Sequence, residues 1–212
     1  MIKVYSKNEL REYVEKLSVN SISKEEFENI DISNVTDLDW LFFGFKYDNI
    51  DSDIDLSNWD TSNVISMNYT FDSCYSNIII ENIDVSNVKY MRWTFGSSFI
   101  KNQNLSKWKT LSLIDISGIF YNSNIECDLS NWFTKNIQYI DYAFMHSGKI
   151  TGLSKWKIEK LISAKRAFNH SKIECNLSKW IITHLRDDLD DVFDGSLMDI
   201  PSEWKIQKIV SS

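Results

Sequence analysis

The sequence predicts an α/β repeat solenoid, and three observations carry that expectation. An anchor residue recurs at nearly constant spacing, an apolar residue always follows five positions later, and a phenylalanine closes each unit. The anchors are Ile30, Trp59, Ile83, Trp108, Trp132, Trp156, Trp180 and Trp204, at spacings of 29, 24, 25, 24, 24, 24 and 24. Five residues on stand Val35, Val64, Val88, Leu113, Ile137, Leu161, Leu185 and Ile209, and the closing residues are Phe42, Phe71, Phe95, Phe120, Phe144, Phe168 and Phe193. A third apolar position lies between them: Leu38, Met67, Met91, Ile116, Ile140 and Ala164. The last unit carries one extra residue here and uses Leu189 instead. A unit this short cannot bury its own apolar side, so neighbours must stack into one continuous core.

The elements follow in order. Residues 1–29 read as an N-terminal helical cap: Ser6 and Glu9 have capping-box spacing, and Leu10, Tyr13, Val14 and Leu17 share one helical face. Such a cap covers the core and unpaired strand edge that an open end would expose. Residues 30–212 form the solenoid, seven to eight repeats in a single right-handed structural unit. Within a repeat, stretches such as IECDLSNW (Ile125–Trp132) and IECNLSKW (Ile173–Trp180) alternate apolar with polar, the pattern of a short strand. The following V-x-x-M-x-x-x-F stretch has three-then-four spacing and predicts one or two turns of α- or 3₁₀-helix. WKIQKIV (Trp204–Val210) opens an eighth repeat that stops before its phenylalanine.

Composition fits this picture. In 212 residues, 43% hydrophobic and 14% aromatic content argue against disorder. Only six Gly and one Pro are present, so Asn, Ser and Asp must make most of the turns. A net charge of −7 and a pI near 5.0 argue against direct nucleic-acid binding. No apolar run is long enough to span a membrane. The opening MIKVYSKNELREYVEKL lacks the charged-then-apolar order of a secretory leader, so the simplest expectation is a cytoplasmic protein. A secreted or surface-displayed form is the alternative if a leader has been removed.

The copies WDTSNVISMNYTF (Trp59–Phe71) and IDVSNVKYMRWTF (Ile83–Phe95) resemble the BspA-like leucine-rich-repeat surface proteins, bacterial repeats of about 25 residues of mycoplasma and spirochaete type. The N-terminal helix followed by IDISNV is similar to how such proteins begin. The resemblance covers roughly residues 30–210, while KWKTLSLIDISGIF and KWKIEKLISAKRAF depart from it. It implies a leucine-rich-repeat-like solenoid used for binding, often at a bacterial surface, and brings no catalytic residues.

The candidate binding residues are those that break the repeat's small-residue habit. Two before each closing Phe stand Trp40, Tyr69, Trp93, Gly118, Tyr142, Arg166 and Asp191, a position the related family commonly keeps small. Trp40, Tyr69 and Trp93 are expected to form a partly exposed aromatic ladder, broadened by Tyr90, Tyr139 and Tyr142. Aromatic side chains anchor interfaces because they bury much area at low entropic cost. The plainer reading is a second small core. Charge is also segregated: residues 1–98 balance at −9, residues 99–186 at +7 and residues 187–212 at −5. Lys107, Lys155 and Lys179 precede the tryptophan in one column, and Lys109 and Lys157 follow it in another. These form a basic arc, read either as a site or as a solubilising face.

Signals for chemistry are weak. His146 and His170 are equivalent and expected about 5 Å apart, as half a metal site or, more simply, a polar turn column. Cys127 and Cys175 share a column with Thr151 between them, too far apart for a disulfide, and Cys74 belongs to another. The serines two before the anchors (Ser57, Ser106, Ser130, Ser154, Ser178, Ser202) repeat too often for a nucleophile. Asp51, Asp53 and Asp55 suggest a calcium loop, but the glycine and glutamate it needs are Leu56 and Ser62. The acidic run RDDLDDVFDG (Arg186–Gly195) either blunts the end of the stack or attracts a basic partner.

The expectation is therefore a non-enzyme without cofactor or metal: a bacterial or phage-encoded solenoid for protein–protein recognition. Two alternatives are a cytoplasmic inhibitor that blocks a nucleic-acid-processing enzyme through charged surfaces, and a carbohydrate-binding adhesin. The sequence assigns no oligomeric state.

Overall fold

A computed structural model describes residues 2–47, 53–101, 103–186 and 189–211. The chain opens with two helices, α1 (Lys7–Ser18) and α2 (Lys24–Glu28). Ser6 accepts the Glu9 amide at the start of α1, and Leu10, Val14 and Leu17 are buried. The full capping box belongs to α2, where Ser23 and Glu26 satisfy each other's backbone amides. Ahead of α1, Lys3 forms a parallel bridge to Asp31, so the N-terminal segment covers the edge of the first repeat.

The repeats are joined through a ladder of single parallel bridges: Asp37 to Ser66, Ser66 to Tyr90, Tyr90 to Asp115, Asp115 to Tyr139 and Tyr139 to Ser163. Regular strand is brief. β1 (Ile54–Asp55) pairs in parallel with β2 (Ile78–Ile79), and β3 (Cys127–Asp128) with β4 (Ile150–Thr151). The β3–β4 register sets Cys127 opposite Ile150, one residue away from the Thr151 that spacing from tryptophan would place there. Short 3₁₀ turns stand at Leu105–Lys107 and Leu153–Lys155, directly before Trp108 and Trp156.

The stretch expected to be helical is instead a chain of turns. In the first unit the amides of Leu38, Trp40, Phe42 and Gly44 donate to Ser66, Asn68, Thr70 and Asp72 of the next unit, at 2.9, 2.9, 2.9 and 3.0 Å. The amides between them donate backwards within the unit, Leu41 to the Leu38 carbonyl and Phe45 to that of Phe42. Every second donor thus links units and the others close turns, so the backbone is satisfied without a helix. These turns face positions such as Met67, Thr70, Phe71 and Cys74 inward, all fully or almost fully buried. That i, i+3, i+4, i+7 pattern is the one a helix would write. Only the last closing segment is helical, as α3 (Leu189–Phe193). The chain then ends in α4 (Ser202–Ser211) rather than in an eighth repeat, although Trp204 still takes the tryptophan position.

The core is two columns of rings. Consecutive phenylalanines from Phe42 to Phe193 stack at centroid distances between 5.3 and 6.2 Å. Trp108, Trp132, Trp156, Trp180 and Trp204 stack beside them at 5.8 to 6.1 Å. Each such pair contributes about 0.5–1.5 kcal/mol beyond its buried area. The buried indole donors are also satisfied: Trp108 Nε1 donates to the Ile80 carbonyl, Trp132 to Leu105, Trp156 to Leu129, Trp180 to Leu153 and Trp204 to Leu177, at 2.9–3.3 Å. Asx turns supply much of the turning where Gly and Pro are scarce, as the Asp55, Asp60, Asp84, Asp115 and Asp128 carboxylates accept the amide two residues on.

Candidate functional site

The turn chain has two positions per unit with left-handed backbone, two before and two after the closing Phe. The first column holds Trp40, Tyr69, Trp93, Gly118, Tyr142 and Arg166, with φ between +51° and +65°. The second holds Gly44, Ser73, Ser97, Asn122, His146, His170 and Gly195. Apart from Asn20, every left-handed non-glycine residue described lies in one of these columns. Glycine takes this conformation freely, whereas a side chain there costs about 1 kcal/mol or more. The backbone at this position thus suits glycine, as at Gly118, and the aromatics here are held against it.

Four expected aromatics line up. Trp40 and Tyr69 stack with ring centroids 3.9 Å apart at 9°, and Tyr69 and Trp93 at 6.2 Å and 3°. The ladder then bridges Gly118: the Trp93 ring lies over that glycine and meets Tyr142 at 6.4 Å and 32°. Trp40 is 41% exposed, and Tyr69, Trp93 and Tyr142 are half-buried. The column continues as an ion pair, with Arg166 Nε 3.2 Å from Asp191. Tyr90 stands apart. It sits on the bridge ladder between Ser66 and Asp115, its ring 6.0 Å from the Arg92 guanidinium, with no ring contact to the four among the described residues. Tyr139 likewise occupies the bridge ladder.

Aromatics that spacing alone did not single out widen the site. Phe43 packs edge-on to Trp40 at 5.0 Å, and Tyr121 lies 4.7 Å from Trp93. Both stand one after the closing Phe, a column whose tabulation would have revealed them. Tyr75 and Phe99, four after it, stack at 4.9 Å and 16° and are 57% and 63% exposed.

Beside Tyr69 lies Asp72, buried at 9% exposure, its Oδ1 accepting the Ser73 hydroxyl at 2.7 Å. Burial raises its carboxyl above the ordinary range. Burial, followed by the charge of Asp72, likewise raises the Tyr69 phenol, which Arg92 opposes. Arg92 itself is committed to Asp115, 2.7 Å away and 2% exposed.

The basic arc is elsewhere on the repeat. Lys107, Lys109, Lys155, Lys157 and Lys179 are all exposed, and none forms an ion pair among the described residues. Lys107 and Lys109 line an open notch of about 480 Å³ with Glu81 and Asp84, where Ile83 interrupts the tryptophan column.

The remaining candidates for chemistry are accounted for by packing. His146 and His170 stack at 5.1 Å and 14°, and the His170 ring lies over Gly195 as Trp93 lies over Gly118. Burial raises all three thiols, Cys74 to about 12 and Cys175 to about 11, away from the reactive range. No group of three metal-ligating side chains occurs among the described residues. Asp55 serves an Asx turn and Asp53 pairs with Lys101 at 3.6 Å, while Asp51 lies outside the described residues, as do Asp187 and Asp188 of the acidic run. No helix described is long and apolar enough to cross a membrane.

No curated protein and no solved structure matches the chain. A family model matches it twice, over residues 8–125 and 72–180, the overlap that a repeated unit produces. The chain belongs to that family, described as Mycoplasma protein of unknown function, DUF285.

Proposed function

We propose that this chain is a leucine-rich-repeat-like solenoid of the BspA-like kind and a non-catalytic protein-recognition module, binding through the ladder Trp40–Tyr69–Trp93–Tyr142. The observation that carries this reading is the left-handed backbone of all four aromatics. Glycine or asparagine would serve the turn better, so large rings retained there, with edges open to solvent, point to a use beyond packing. The stacking favours a protein over a sugar as partner. A sugar ring needs an open aromatic face, and both faces of Tyr69 are covered by Trp40 and Trp93.

Affinity capture from the native cell tests it, with wild-type protein and a Trp40→Gly/Trp93→Gly variant immobilised in parallel. Glycine is the right replacement because it removes the rings without straining the turn. A protein retained by the wild type and lost with the variant is expected; equal retention on both would sink the ladder as the site. A second reading, inhibition of a nucleic-acid-processing enzyme, is favoured by the five exposed lysines, which form no ion pair among the described residues. In that case reversing Lys155, Lys157 and Lys179 to Glu abolishes capture, while the ladder variant retains it.

A further inference from the structure

Two carboxylates among the described residues are at least nine-tenths buried, Asp72 and Asp115. Their surroundings differ. Asp115 is neutralised within the chain by Arg92. Asp72 faces no cation: Oδ1 holds the Ser73 hydroxyl, and no salt bridge reaches it among the described residues. An ionised carboxylate is rarely left buried without a counter-charge, because desolvation costs several kcal/mol. Asp72 also sits at the ladder. Its amide donates to the Tyr69 carbonyl at 3.3 Å, and its charge acts on the Tyr69 phenol. In the next unit it lies against Gly96, where an added methyl would lie 3.1 Å from Asp72 Oδ2 and 3.2 Å from Trp93 Cε3. A carboxylate, a bare glycine and the Tyr69 and Trp93 rings therefore meet at one place.

We propose that this place receives a cationic side chain from the partner, an arginine or lysine presented by a basic and apolar polypeptide segment. The inference rests on the ladder being the recognition site and names the chemistry it recognises. Asp72 supplies in trans the pairing that Asp115 has in cis. The ring edges of Tyr69 and Trp93 flank the alkyl stem, and Phe43, Tyr75 and Phe99 offer exposed apolar area to the neighbouring residues. Charge complementarity runs the same way, since the 98 residues that include the site balance at −9. The raised carboxyl of Asp72 fits an unpaired buried acid, which a cation would hold ionised.

Selection from a displayed library of random dodecapeptides tests this without knowledge of the natural partner. Wild-type protein is expected to enrich peptides with Arg or Lys between apolar residues. Asp72→Asn is expected to lose the basic enrichment and to bind a wild-type-selected peptide about thirtyfold more weakly or worse. Asp60→Asn, at an exposed carboxylate of the same half, leaves that affinity unchanged. Absence of basic enrichment, or its survival in Asp72→Asn, overturns the proposal. Failure of the underlying reading looks different. Apolar peptides that depend on Trp40 and Trp93 but not on Asp72 sink only the cationic partner. Peptides that bind Trp40→Gly/Trp93→Gly as tightly as wild type sink the ladder as well.

Discussion

The indole of Trp93 lies across Gly118, so close that a Cβ on Gly118 would sit 2.5 Å from its ring carbons. The one ladder position that keeps glycine is thus roofed by its neighbour's aromatic. Gly118→Ala meets both a φ of +65° and this ring, and a loss of about 3 kcal/mol is expected. Thermal unfolding measures it, and displacement of Trp93 should shift tryptophan emission. A variant as stable as wild type would contradict the placement of the ring.

At Tyr69 the usual ranking of alanine over glycine inverts. Both replacements lose the stacks with Trp40 and Trp93, but alanine keeps the cost of φ +55°. Tyr69→Gly is expected to be more stable than Tyr69→Ala by about 1 kcal/mol, measured in urea. Alanine equal to or better than glycine would refute the turn assignment.

Trp132→Phe preserves a ring in the column but removes the donor to the Leu105 carbonyl, 3.0 Å away. That carbonyl keeps the Trp108 amide, 3.1 Å away, so one net hydrogen bond is lost and about 1 kcal/mol should follow in denaturant unfolding. A change under about 0.5 kcal/mol would mean that the indole contributes as a ring alone.

Asp72 gives stability a distinctive pH dependence. Its folded-state carboxyl is raised by burial above the ordinary 3.8 that the unfolded chain retains. Below the ordinary value both states are protonated and the group adds no penalty. Between the ordinary and the raised value only the unfolded chain ionises, so the penalty grows through that window and is complete above the raised value. Asp72→Asn is therefore expected to be more stable than wild type at neutral pH, with the gain fading as pH falls toward about 4. A gain that persists unchanged in acid, or a loss at neutral pH, would refute it.

The repeat, its inward columns and the ladder were legible because they recur. Val64, Met67 and Phe71 have counterparts in every unit, so register could be read without knowing the backbone. The backbone itself was not legible. Met67, Thr70, Phe71 and Cys74 face inward at helical spacing, and a chain of turns yields the same inward set. What separates the two is the left-handed residue at Tyr69 and Ser73, whose trace in sequence is confined to Gly118 in the first column and Gly44 and Gly195 in the second. Asp72 was hidden for another reason. It lies against Gly96 of the following unit, and its importance comes from the lack of a counter-charge among the described residues. Neither leaves a local pattern.

The alternation of amides between turn closure and the next unit also bears on how a gene for such a chain can change. Loss of one codon between Met67 and Phe71 would exchange the two sets of donors and turn inward residues outward. Recombination of whole blocks of about 24 codons would leave every bond matched. The longest interval, 29 residues from Ile30 to Trp59, agrees: its surplus falls between Phe42 and Trp59, where an insertion leaves the bonded turns intact. Length can then vary by duplication of whole units, and where the turn segment does carry an extra residue, between Leu185 and Phe193, the turns give way to α3.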